Sequence, residues 1–301
     1  MGSLAMDAMT ATMRILEPYP GIYAYYDGRI EDKRLHSEAP NWVDDGAYSL
    51  GIASYALVGG GRAIVYDTHM TIEHAQAIRR HLEGLGVTTI QVVLSHWHTD
   101  HIAGNVVFAD CEIIALTATA EAMETNQVKL ETGTPPILPV VMPTRTFEES
   151  MALEIGGRRI ELHHFNIHSA DGCVLWLPEE RILFAGDTLE DTITYVSEPE
   201  HIETHIAELE RMATWPIERI LPNHGDPDRI EAGGYHKTLI DANRDYLERL
   251  IDPEESSRAR TQPLQEFIER DISTGAVIYF APYETVHREN IAAVSRDNPY
   301  D

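Results

Sequence analysis

Four groups able to bind a metal fall within six residues, His96-Trp97-His98-Thr99-Asp100-His101. They follow, after Ser95, on Ile90-Gln91-Val92-Val93-Leu94, which reads as a short buried strand. At an extended strand end, positions i and i+2 point the same way, so His96 and His98 can reach one ion together. A helix beginning there would aim the adjacent Asp100 and His101 at a second position. Imidazole and carboxylate suit zinc, and also iron or manganese. Three further candidates are His168, Asp187 and His224. Each lies just past a short apolar strand, where α/β proteins tend to place their sites.

The elements around these residues can be read from periodicity. Ile22 to about Asp67 suggests β-structure, with Ser54–Val58 and Ala63–Asp67 flanking Gly59-Gly60-Gly61 as a hairpin. Thr71 to Leu85 carries apolar residues at helical spacing, ended by Gly84 and Gly86. Ile113–Leu116 reads as a strand and Thr117–Glu131 as a helix. A second half repeats the rhythm. Leu153–Ile155 and Arg159–Leu162 flank Gly156-Gly157, a hairpin signal. Cys173–Leu177 and Ile182–Phe184 flank a turn, Glu200–Ala213 is helical, and Ile217–Leu221 is a strand. After Gly234 the chain is mostly helical. The alternation predicts an α/β protein with two sheets covered by helices.

From Ser54 to Asp226 this pattern resembles the metallo-β-lactamase superfamily. His96, His98, Asp100 and His101 match its HxHxDH motif. Asp67 resembles the buried Asp that supports the metal loop, His168 the lone third-motif histidine, Asp187 the bridging acid and His224 the last histidine. The resemblance implies an αββα sandwich with one ion on His96, His98 and His168. It places a second ion on Asp100, His101 and His224, with Asp187 between the two. It also implies two divalent ions, zinc first among them, and a metal-bridging hydroxide that attacks an acyl carbon. Asp100 would then orient the nucleophile's proton, and Tyr195 could donate to a developing oxyanion, as a tyrosine does in related lactonases. An Asp at position 187 resembles glyoxalase II-type thioesterases, acylhomoserine lactonases and phosphodiesterases. The expected activity is hydrolysis of a carboxylic ester, lactone, lactam or thioester. A mononuclear iron enzyme of the persulfide-dioxygenase type, or a phosphodiesterase, is the alternative.

The expected organisation is a catalytic domain over residues 15–230 and a helical extension over 231–301. That extension is expected to pack on the same domain, where it either covers the site or forms a homodimer contact. Of 301 residues, 43% are hydrophobic, enough for a full core. The formal charge of −26 repels phosphate backbones, which disfavours nucleic acid. A small-molecule acyl substrate is expected instead. No apolar run is long enough to span a membrane. Two cysteines, Cys111 and Cys173, make no disulfide framework, and with no signal peptide read at the start, a cytoplasmic location is expected.

Other histidines read as structural. His201 and His205 stand at i, i+4 without an HExxH pattern and suggest an exposed acidic helix face. His163 and His164 suggest strand-end packing. His69 could support the site or lie on the surface. Residues 1–50 and 126–149 are expected to form loops near the mouth, and residues 283–288 a packed helix.

Overall fold

The computed structural model describes residues 8–296. By its internal contacts the chain divides into two compact units, Met1–Ile160 and Glu161–Asp301. The first carries a seven-stranded sheet in simple sequence order. Its strands are β1 (Arg14–Tyr19), β2 (Ile22–Asp27), β3 (Ile52–Gly59), β4 (Arg62–Tyr66), β5 (Thr89–Val93), β6 (Glu112–Leu116) and β7 (Arg145–Phe147). The first four pair antiparallel, and β4 to β7 run parallel. Helix α1 (Ile72–Gly84) crosses from β4 to β5, capped by Thr71, whose side chain accepts from His74 N. It buries Ala75, Ile78 and Leu82 against Val65, Val92, Ile113 and Phe108 in one apolar cluster. The short α2 (Thr99–Ile102) opens within the histidine motif. Helices α3 (Thr117–Thr125) and α4 (Gln127–Thr132) follow β6.

The second sheet has the order β12-β11-β10-β9-β8. Its strands are β8 (Ser150–Ile155), β9 (Arg158–His164), β10 (Cys173–Leu177), β11 (Ile182–Gly186) and β12 (Arg219–Pro222). The boundary between units falls within β9. The two residues joining β8 to β9, Gly156 and Gly157, have φ of 57° and 85°. A two-residue hairpin turn needs that left-handed pair, and glycine adopts it without strain. Strands β10 and β11 are buried at every position, which accounts for their unbroken apolar sequence. Helix α5 (Ile202–Ala213) connects β11 to β12, which pair in parallel. Beyond β12 come α6 (Pro227–Glu231), α7 (Thr238–Ile251), α8 (Pro253–Ala259), α9 (Leu264–Phe267), α10 (Glu269–Thr274) and α11 (Tyr283–Arg296). No described helix is long and apolar enough to cross a membrane.

Two sequence expectations need correction here. The stretch between β2 and β3 is not β-structure; it holds a π-helix at Val43–Tyr48. Asp44 takes Leu35 N at 2.5 Å, Ser37 N at 3.1 Å and Asn41 Nδ2 at 2.8 Å, so side-chain acceptors replace a strand ladder. The segment 126–149 is not loop throughout, since α4 and β7 lie inside it. Likewise, β1 and β2 occupy part of the first fifty residues.

Candidate metal centre

In the first unit the histidine motif is held from behind by Asp67. This fully buried residue takes the left-handed φ of 65° at the end of β4. Its Oδ1 accepts from Ser95 N at 2.7 Å. Its Oδ2 accepts from Ser95 Oγ at 2.6 Å and from His101 Nδ1 at 2.9 Å. Because Ser95 Oγ spends its one proton on Asp67, it accepts from His96 Nδ1, 2.9 Å away. One carboxylate therefore turns Nε2 of both His96 and His101 away from itself, the orientation a metal-binding histidine would need. The His96 ring lies 4.5 Å from that of His98 and 4.2 Å from that of His101, centroid to centroid. His101 Nε2 is 3.6 Å from Asp100 Oδ1. The α2 turn can sit this close to the Asp67 loop because residue 104 is glycine. A Cβ there would lie 2.2 Å from Thr68 O.

In the second unit Asp187 lies directly past the C-terminal end of β11, an inner strand of its sheet. Its Oδ2 is 3.4 Å from His224 Nε2 and 3.8 Å from His168 Nε2. A single carboxylate oxygen thus faces two imidazoles that come from different loops. His168, at φ 68°, donates Nδ1–H to Tyr195 O at 2.8 Å, which again directs Nε2 toward the acid. His224 is placed by β12, and its carbonyl accepts from Asp191 N at 3.1 Å. Each unit therefore gathers its own share of the predicted residues: His96, His98, Asp100 and His101 in one, and His168, Asp187 and His224 in the other. Oriented imidazoles and carboxylates are a donor set suited to a divalent transition-metal ion.

Several residues around these candidate ligands carry no sequence signal. Glu190 is fully buried, with Oε1 3.8 Å from His168 Nδ1. Burial, and then the neighbouring Asp187 carboxylate, pushes its carboxyl up. Tyr195 N and Tyr283 Oη donate to it at 2.9 and 3.0 Å. Asn290 Oδ1 accepts from Val196 N at 2.8 Å and its Nδ2 donates to Thr194 O at 3.1 Å. Asn243 Oδ1 accepts from Thr194 N at 2.8 Å. The loop from Asp187 to Ser197 is therefore held by α7 and α11, so residues 283–288 do form a packed helix. Tyr195 is half-buried beside His168, with ring centroids 6.1 Å apart. Burial, then Glu289 and Glu190, hold its phenol above the ordinary value and so protonated.

His69 is not on the surface. It is fully buried, stacked 4.4 Å from His74, with Nε2 bonded to Tyr25 O at 3.2 Å. His163 bonds Glu161 at 3.0 Å, and His164 donates to Ala170 O at 2.8 Å, so both serve the strand end. The reading of His201 and His205 as an exposed face is corrected for His205, which is 1% exposed. Helix α5 turns it inward with Ile202, Leu209 and Met212, and burial pushes its imidazole down to about 3.

The sequence signature described as the Metallo-beta-lactamase superfamily matches residues 48–224, the stretch that contains all seven candidate ligands. The chain belongs to this superfamily. It is 26% identical over 177 residues to a beta-lactamase-like protein 2 homolog of Caenorhabditis elegans, covering 58% of this chain and 56% of that one. An acyl-coenzyme A thioesterase of Gallus gallus is 22% identical over 211 residues, 61% of this chain and 76% of that one. The type 2 metallo-beta-lactamase of Bacteroides fragilis is 27% identical over 56% of this chain and 64% of its own length. The chain thus spans less than two thirds of the nematode and Bacteroides relatives. Among solved structures, a metallo-beta-lactamase from Pontibacter korlensis superimposes with a TM-score of 0.61 at 16% identity, over 79% of this chain and 99% of that one. The fold is that of the metallo-β-lactamases, followed by C-terminal helices outside the signature.

Proposed function

We propose that this metallo-β-lactamase-fold chain is a hydrolase of small acyl substrates, with thioesters first among them. In this reading His96, His98 and His168 hold one divalent ion, and Asp100, His101 and His224 hold a second, with Asp187 shared. The observation that carries it is Asp187 Oδ2, which faces Nε2 of both His168 and His224, as a shared carboxylate must. Zinc is the favoured metal, given the oriented nitrogen donors. When bound, such ions polarise an acyl oxygen and bring the pKa of water toward neutrality.

The chain's own residues do the rest. Asp67 keeps two histidines in one tautomer. Asp100 accepts and orients a proton of the attacking water. The protonated Tyr195 donates to the oxygen on which charge develops. Thioesters lead the substrate classes because the Gallus gallus relative, and an Aspergillus novofumigatus relative 25% identical over 179 residues, bear thioesterase names. The charge of −26 argues against polyanionic substrates.

A panel of acyl thioesters, esters, lactones and β-lactams tests the reading. Thioester turnover should vanish on chelation and return with Zn2+. Asp187→Ala should lose most activity and bind less metal. One bound iron with oxygen consumption, or full activity of Asp187→Ala with two ions, overturns it.

A further inference from the structure

We propose a separate transition-metal site at the start of α5, formed by Glu198, His201 and His205. One ligand atom from each of these residues lies within 4.8 Å of the other two. The three differ in a way that suits a cation. His205 is 1% exposed, and its Nε2 is buried without a hydrogen-bond partner. An orphaned buried polar atom is costly, and a cation coordinated by the ring would relieve that cost. Glu198 and His201 sit nearer the surface, with side chains 26% and 40% exposed, and are already paired through Oε2 and Nδ1 at 3.0 Å. Two imidazoles one helical turn apart share a face, and the i, i+4 spacing is a well-used zinc pair.

The geometry needs little adjustment. Ligands at ~2.0–2.1 Å from a tetrahedral zinc stand about 3.4 Å apart, so atoms within 4.8 Å of one another need close by no more than about 1.4 Å. His201 has the freedom to supply that movement. Two nitrogens and one carboxylate oxygen favour zinc, or cobalt as its probe, over magnesium or calcium. Water would complete the coordination.

The position gives the site a consequence. Glu198 Oε2 also accepts from Ala170 N at 2.8 Å, two residues beyond His168. Ser197 Oγ donates to His168 O. A metal on this trio would tie the start of α5 to the loop that carries His168, stiffening that loop without touching substrate.

Zinc stoichiometry provides the test. Metal-depleted wild-type protein and His201→Ala are titrated with Zn2+ against a chromophoric chelator that reports micromolar free zinc. His201 is partly exposed, so its removal should leave the fold intact, which circular dichroism checks. Wild type should take up one equivalent more than His201→Ala, and Glu198→Gln should bind that equivalent more weakly. Equal stoichiometry in wild type and His201→Ala overturns the site. Both proteins keep all seven other candidate ligands. The difference therefore stands apart from whether the main centre holds two ions, one ion or iron.

Discussion

Asp67 is not among the proposed metal ligands, yet it sets the orientation of two histidines that are. It receives Ser95 N, Ser95 Oγ and His101 Nδ1 on its two oxygens. All three are donors, so an amide cannot replace the carboxylate. In Asp67→Asn one NH2 must face a donor, and the His96–Ser95–Asp67 relay loses its end point. Zinc affinity should fall about 10- to 100-fold. Stability of the metal-free protein should fall by about 3 kcal/mol, since a buried ionic partner is lost. Chelator-competition titration and urea unfolding measure the two effects; unchanged zinc affinity would remove Asp67 from the site. Tyr195 is a different case, because its carbonyl and its phenol have separate roles. Tyr195→Phe keeps the carbonyl that holds His168. It should therefore keep its zinc while kcat drops about 10²-fold. An unchanged kcat would make the ring a packing group only.

Elements explain which parts of this protein could be read from its sequence. The candidate ligands His96, His98, Asp187 and His224 follow short apolar strands, and strand ends place side chains predictably, which is why position alone singles them out. Helix α1 was legible because its apolar stripe and its cap agree. The stretch 28–51 was not, because Asp44 and Asn41 recruit backbone N–H groups that periodicity assumes are paired in a ladder. His205 was misread because a histidine among Glu203, Glu208 and Glu210 looks solvated, while its angular position falls with Ile202, Leu209 and Met212. The C-terminal helices were read as helices, but their task was hidden. It rests on buried amides, Asn243 and Asn290, which look like surface residues in a linear pattern. Asn290→Ala leaves Val196 N and Thr194 O unsatisfied in a buried setting. The expected cost is about 3 kcal/mol in urea unfolding. Zinc affinity should fall about tenfold, because the Tyr195 carbonyl that orients His168 lies between those two bonds. Loss of stability with no change in zinc affinity would confine α11 to a purely structural role.

At the scale of the whole molecule, buried titrating groups set a pH dependence that differs from that of the surface. The first unit buries His69, held well below the ordinary histidine value by burial and then by His74. The second buries His205, pushed down to about 3 by burial and then by His168 and His201. Both rings are neutral when folded and take a proton when unfolded below a pKa of about 6.5. Their stabilisation is complete above that pH and is lost as pH falls, each contributing about 1.4 kcal/mol per pH unit. Glu190 has the opposite sign. Its carboxyl is raised, so its contribution is complete below the unfolded carboxylate pKa and is lost as pH rises above it. Between pH 6.5 and about 5, where most surface carboxylates stay ionised, the His69 and His205 protons oppose the Glu190 proton, and His81 and His287, both pushed down by burial, act on the side of the histidines. Metal-free protein should therefore lose stability on acidification. Glu190→Gln should steepen that dependence by about one proton, and His205→Gln should flatten it by about one. Urea midpoints taken across this window separate the three proteins. Parallel slopes in all three would mean that neither residue titrates differently in the folded and unfolded chain.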